Sequence, residues 1–164
     1  MKRIKIAQIG TGHDHAADTI QTLKLLDKAG IYELVGYCIV PEDNGNLLEF
    51  SYEGKKKCYT NVKQMNVEEI LNYDGLDAVA IETEDRALTK YALMAAEKGL
   101  HIQMDKPGGI DGDEFERLID TVKSKNLVFH TGYMYRYNPA VLKLKQDIAE
   151  GKLGDILSVE AQMN

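Results

Sequence analysis

At 164 residues and a formal net charge of −6, the chain is long enough for one well-packed domain burying roughly 70% of its unfolded surface. It is too acidic for a general nucleic-acid binder, and no segment approaches the roughly 20 apolar residues of a membrane span. Met1-Lys2-Arg3 leads into an apolar run too short for a signal-peptide core. Cys38 and Cys58 are the only cysteines; two isolated thiols outside any CxxC spacing fit a reducing compartment, so a cytoplasmic location is expected.

Ile4, Ile6, Ala7 and Ile9 open the chain as a near-continuous apolar run, the pattern of a strand covered on both faces. Gly10-Thr11-Gly12 then turns, and a helix is expected from about His13–Asp14 to Lys28, with Ala16, Ile20, Leu23 and Leu26 on one stripe. Glycine has no Cβ to hold a ligand off the backbone N–H groups, and the helix adds the positive end of its dipole. This strand–turn–helix therefore suits a phosphate. Gly30 stands where a C-cap glycine belongs, and Leu34–Ile39 reads as a second strand. From Val40 to Tyr59 the pattern dissolves into Pro, Asn, Gly and charge, ending in Lys55-Lys56-Lys57, as expected of an exposed, mobile insertion. Asn66 is placed to cap a short helix over Val67–Leu71, and Asp77–Ile81 is the next buried strand. A helix from about Arg86 to Lys98 stops at Gly99; His101–Met104 is a brief strand, Asp113-Glu114 opens a further helix, and Leu127–Thr131 is another strand. After Pro139, Val141, Leu144 and Ile148 mark a helix ending at Gly151, and the alternating Ile156–Ala161 reads as a strand that needs a sheet to join.

Alternating strands and helices with short connections imply an α/β fold, a Rossmann-type doubly wound parallel sheet with helices on both faces. Ligands of such sheets gather at the carboxyl ends of the strands, near the switch in strand order. That rule brings Thr11–His15, Val40–Asp43, Glu82–Asp85, Asp105-Lys106-Pro107 and Tyr133–Asn138 to one edge. His13, Asp14 and His15 together suggest metal ligands, but no third ligand is evident beside them. Polar contact with a cofactor or substrate is the reading preferred, with no metal. His101 and His130 read as strand-flanking histidines with hydrogen-bond partners.

With these residues placed, the chain resembles the N-terminal part of the Gfo/Idh/MocA oxidoreductases. Three stretches carry the resemblance: the opening strand–Gly10-Thr11-Gly12–helix; Ala92–Ile102 running into Asp105-Lys106-Pro107, similar to the family's Glu-Lys-Pro motif; and Gly132–Pro139, followed by Gly151–Ile156. The resemblance implies an NAD(P)-dependent hydride transfer on a sugar, polyol or related hydroxyl–carbonyl compound. Residues 1–132 would be the NAD(P)-binding domain, and 133–164 a linking helix and the first strand of an incomplete C-terminal substrate domain. Lys106 would point at the nicotinamide and the reacting hydroxyl. An ammonium there favours alkoxide character, and a partly buried lysine can have its pKa lowered. Arg136 and Asn138 match a motif bordering the substrate pocket, and Thr83 matches the family's Thr-Pro-Asn turn.

The departures from the family pattern lie around the expected cofactor. Asp105 stands where the family has Glu, and His15 replaces the small third residue of the dinucleotide fingerprint. Thr83-Glu84-Asp85 puts acids beside a diphosphate, with Arg86 available to pair with one of them. No acid ends the second strand, so Glu42 or Asp43 is expected to contact the adenine ribose from the loop. No arginine stands ready for a 2′-phosphate, which favours NAD over NADP. Gly10, Thr11, Gly12, His13, Asp14, His15, Glu42, Thr83, Glu84, Asp105, Lys106 and Pro107 are thus the expected cofactor contacts. The isolated chain is expected to bind dinucleotide with little or no turnover; homo-oligomers are expected of a full-length protein, and the isolated chain is expected either as a monomer or paired through its last strand. The alternative is a non-catalytic dinucleotide-binding regulatory or scaffold module.

Overall fold

The computed structural model describes residues 3–43 and 55–162. Five strands, β1 (Ile4–Ile9), β2 (Tyr32–Cys38), β3 (Ala78–Ile81), β4 (His101–Met104) and β5 (Phe129–Thr131), form one parallel sheet in the order β2-β1-β3-β4-β5. The connections carry α1 (Ala16–Lys28), α2 (Val67–Leu71), α3 (Leu88–Glu97) and α4 (Gly112–Ser124). From β1 the chain steps outward to β2, then crosses back to β3 on the other side of β1. The loops leaving β1 and β3 diverge there and open a crevice at their carboxyl ends. Ile9 pairs with Cys38 on one side and Ile81 on the other, so all three strands end at that level.

On one face, Ala7, Ile9, Val79, Ile81, Ile102 and Met104 pack with α3 and α4 through Tyr91, Ala92, Ala95, Leu118 and Val122. The alanines of α3 let the helix sit close to the sheet. On the other face Ile6 and Ala80 meet Leu23 of α1, while Ile20 packs with Tyr37 and Tyr59. Burying a side chain such as Ile9 or Leu118 contributes about 2–3 kcal/mol. The near-continuous apolar run of β1 follows from this double cover.

The elements differ from the sequence pattern in three places. α1 starts at Ala16 rather than His13–Asp14, because His13 N–H donates to Glu82 O (3.0 Å) and ties the chain to β3 before the helix begins. The stretch 40–59 is not exposed at its ends: Val40 and Asp43 are buried, and a 3-10 turn at Lys56–Tyr59 buries the Tyr59 ring beside Ile20 and Tyr37. The middle of that stretch, residues 44–54, lies outside the described residues. Ile156–Ala161 joins no described strand, and Leu157 and Val159 stand exposed. Alternation of apolar residues makes a strand only where a neighbour supplies the ladder.

The chain divides into two compact units, Met1–Gly132 and Tyr133–Asn164. The second holds a 3-10 turn, Met134–Tyr137, and α5 (Pro139–Ala149). Asn138 caps α5, its Oδ1 accepting from Ala140 N–H at 2.9 Å, with Pro139 at the first helical position.

Candidate functional site

The glycine turn is held in shape from beneath. Gln8, fully buried in β1, donates from Nε2 to Gly10 O (3.0 Å), Ala16 O (3.2 Å) and the Tyr59 hydroxyl (3.2 Å). Gly10 has φ +92°, and a Cβ there would lie 2.6 Å from Thr83 N; a Cβ on Gly12 would lie 2.5 Å from Asp43 Oδ1. Both positions require glycine. Thr83 is buried against Gly10, its hydroxyl donating to Glu84 O at 3.0 Å.

Asp43 joins three segments. Its carboxylate accepts from Thr11 N–H (2.7 Å), Val40 N–H (3.3 Å) and Glu84 N–H (3.3 Å). Burial pushes its carboxyl above the usual range, against the pull of these donors. The expectation that Asp43 contacts a ribose is therefore replaced by a scaffolding role, since it is only 4% exposed. Glu42 faces α3 instead, meeting Lys90 Nζ at 2.6 Å and the Tyr91 hydroxyl at 2.7 Å. The lysine above all holds its carboxyl below the ordinary value. Arg86 also arrives here, donating to Glu42 O (3.3 Å) and pairing with Glu84 at 3.1 Å. An arginine thus does stand at the end of β2, which the sequence order concealed.

A cavity of about 420 Å³ opens at the switch point, lined by Gly12, His13, Asp14, Glu84, Asp85, Arg86, Lys106 and Ile110. The N–H groups of Gly12 and Asp14 donate to none of the described residues, whereas those of Thr11 and His13 are taken by Asp43 and Glu82. Two free donors at the entrance to α1 suit an anion. The acids Asp14, Glu84 and Asp85 oppose one, with Arg86 and Lys106 as the cations in the same wall. The donors and the absent Cβ atoms fit a diphosphate; the acids suit hydroxyl groups.

Beside this cavity lies a buried cluster. His15 Nδ1 stands 2.9 Å from Asp105 Oδ2, and His13 Nδ1 stands 3.3 Å from the same oxygen and 3.9 Å from Glu82 Oε2. His13 donates from Nε2 to Lys106 O at 2.9 Å and accepts at Nδ1 from His15 N–H at 3.2 Å, which defines one neutral tautomer. Burial holds its pKa below the ordinary histidine value despite Asp105. Glu82, at the end of β3, is fully buried, and burial followed by the charge of Asp105 pushes its carboxyl up to about 8.

Asp105 supplies the third ligand type that the sequence left missing beside His13 and His15. It does not hold the Lys106 ammonium; its Oδ1 accepts from Lys106 backbone N–H at 2.6 Å. Lys106 is half-buried in the cavity wall, followed by a cis bond to Pro107. Arg136 and Asn138 belong to the second unit, where Asn138 is a helix cap. His101 accepts from Val128 N–H at 3.0 Å and His130 pairs with Gln103, so both have the partners expected of strand-flanking histidines. Sequence reading missed Gln8 and Glu82 as individual residues. Their signal is a polar side chain at a position where the apolar period of β1 or β3 demands burial.

Residues 4–133 match the family model described as an oxidoreductase family with an NAD-binding Rossmann fold. Levoglucosan dehydrogenase of Pseudarthrobacter phenanthrenivorans is 38% identical over 89 residues, 54% of this chain and 23% of that protein. The NAD(+)-dependent scyllo-inositol 2-dehydrogenase of Bacillus subtilis is 31% identical over 52% of this chain and 25% of its own length. The structure of scyllo-inositol dehydrogenase from Lactobacillus casei, with bound NAD(H) and scyllo-inositol, superposes with a TM-score of 0.71 at 25% identity. That superposition covers 94% of this chain and 43% of the other. The chain thus spans less than half the length of these relatives. No helix among the described residues is long and apolar enough to cross a membrane.

Proposed function

Because this chain belongs to the Gfo/Idh/MocA oxidoreductase family with its NAD-binding Rossmann fold, we propose that it holds the dinucleotide of a dehydrogenase. The substrate class is a sugar, polyol or related hydroxyl–carbonyl compound, in a cytoplasmic enzyme. One observation carries the reading: the unpaired N–H groups of Gly12 and Asp14 share a cavity wall with the Lys106 side chain at the switch point. The nicotinamide, when bound, accepts or gives the hydride. Gly12 and Asp14 hold the diphosphate, with Gly10 and Gly12 leaving room for its approach. Glu84 and Asp85 receive ribose hydroxyls, Arg86 offsets charge, and Lys106 stabilises negative charge on the reacting oxygen. The domain assignment follows the same line, with 1–132 binding the dinucleotide and 133–164 beginning the substrate-binding part. The preference is for NAD, because the Arg86 guanidinium beside Glu42 O is paired with the Glu84 carboxylate at 3.1 Å and not held free for a 2′-phosphate.

Isothermal titration of the chain with NAD⁺ and NADP⁺ tests this. Saturable heat is expected, stronger for NAD⁺, and abolished in Gly12→Val, whose side chain displaces Asp43. Absence of heat with either nucleotide overturns the dinucleotide reading. A non-catalytic binding module is the second reading, favoured by the commitment of Asp105 to His15 and the Lys106 backbone rather than to the Lys106 ammonium. Turnover in a full-length protein that survives Lys106→Ala unchanged overturns the lysine role, whereas dinucleotide binding with no turnover in that protein selects the module.

A further inference from the structure

We propose that His13, His15 and Asp105 form a binding site for one divalent transition-metal ion of the zinc class. The site is separate from the dinucleotide-binding reading and does not depend on it. The donor atoms of His13, His15 and Asp105 lie within 4.8 Å of one another. A tetrahedral ion with bonds of about 2.0–2.1 Å sets its ligands about 3.3 Å apart. Here Asp105 Oδ2 lies 3.3 Å from His13 Nδ1 and 2.9 Å from His15 Nδ1.

His13 and Asp105 are each anchored by an outer atom, as is the neighbouring Glu82. His13 donates Nε2–H to Lys106 O, and its Nδ1, which accepts from His15 N–H at 3.2 Å, exchanges that contact for the ion. Asp105 receives Lys106 N–H on Oδ1, leaving Oδ2 inward. Glu82 receives the Thr19 hydroxyl on Oε1 at 3.0 Å, and its fully buried Oε2 has no hydrogen-bond partner among the described residues. Such outer contacts, a backbone carbonyl on the far ring nitrogen above all, are what orient metal-ligating side chains. Glu82 Oε2 stands 3.9 Å from His13 Nδ1, beside a two-nitrogen, one-oxygen set that leaves a fourth position open. Imidazole nitrogen in two of the three ligands selects zinc-like ions over Mg²⁺ or Ca²⁺, which take oxygen. When the ion binds, His15 carries its proton on Nε2 and offers Nδ1.

Titration of the chelator-treated full chain with Co²⁺, read by visible absorption and then by displacement with Zn²⁺, tests the site. One ion per chain with a tetrahedral Co²⁺ spectrum is expected. His15 is the least buried member of the set, and His15→Ala is expected to weaken binding by at least about tenfold. Asp105→Asn should do the same, both variants retaining the far-ultraviolet dichroism of the parent. His101→Ala, on a strand away from the cluster, should bind as the parent does. No uptake by the parent, or equal uptake by His15→Ala, overturns the site. A chain that takes Zn²⁺ but no NAD⁺ keeps this inference and loses the dinucleotide reading; the reverse result loses only this one.

Discussion

Asp43 accepts hydrogen bonds from three separate loop segments, so its removal orphans donors at Thr11, Val40 and Glu84 together. Asp43→Ala is expected to lower unfolding free energy by about 3 kcal/mol, read by urea denaturation, because each unsatisfied buried donor costs about 1–3 kcal/mol and the loops relax in part. Burial raises its carboxyl above 3.8, so the native state binds its proton more tightly than the unfolded chain. That contribution is full below 3.8 and is lost as pH climbs through the raised value. An Asp43→Asn variant lacks this slope, and its deficit against the parent narrows as pH rises through that window. The sequence marked the right residue for another reason, as a ribose ligand at the end of β2. Position along a strand says that an acid is near a site; whether it faces ligand or backbone depends on how residues 40–43 fold back, which periodicity does not encode. Gln8 went unremarked, and Glu82 was marked only as the start of a polar turn, for a related cause: a polar residue in or beside an apolar run looks like its solvent edge.

Elements with local signals were legible to the residue. α2 is only five residues long, yet Asn66 and Glu69 form a reciprocal capping box, with Glu69 N–H to Asn66 Oδ1 at 2.8 Å and Asn66 N–H to Glu69 Oε2 at 2.7 Å. Asn66→Ala is expected to cost about 1 kcal/mol, a modest fall in the urea midpoint without change in slope. Elements whose limits are set by distant partners were not legible. The start of α1 depends on a bond to Glu82 O across the sheet, and the ordered turn at Lys56–Tyr59 depends on a tyrosine ring finding Ile20 and Tyr37. Ile156–Ala161, read as a strand that needs a sheet to join, pairs with no strand among the described residues.

At the scale of the molecule, the alternation of strands and helices was enough to identify the sheet edge at which the cavity opens, because parallel connection and its handedness leave few ways to order the strands. What it left open was the arrangement of charge at that edge, where Asp14, Glu84 and Asp85 ring the mouth of the cavity in a chain of net charge −6. That rim bears on how fast an anion arrives as well as how tightly it stays. A dinucleotide carries negative charge, so its encounter with this protein is retarded at long range rather than steered. Added salt shortens the reach of that repulsion to about 8 Å near physiological ionic strength. The association rate, followed by NADH fluorescence in stopped flow, is therefore expected to climb about twofold or more from low salt to that point, where electrostatically steered pairs slow down. A falling rate would mean that Arg86 and Lys106 dominate the approach. Docking against an acidic rim makes encounter, rather than retention, the step most sensitive to the ionic surroundings.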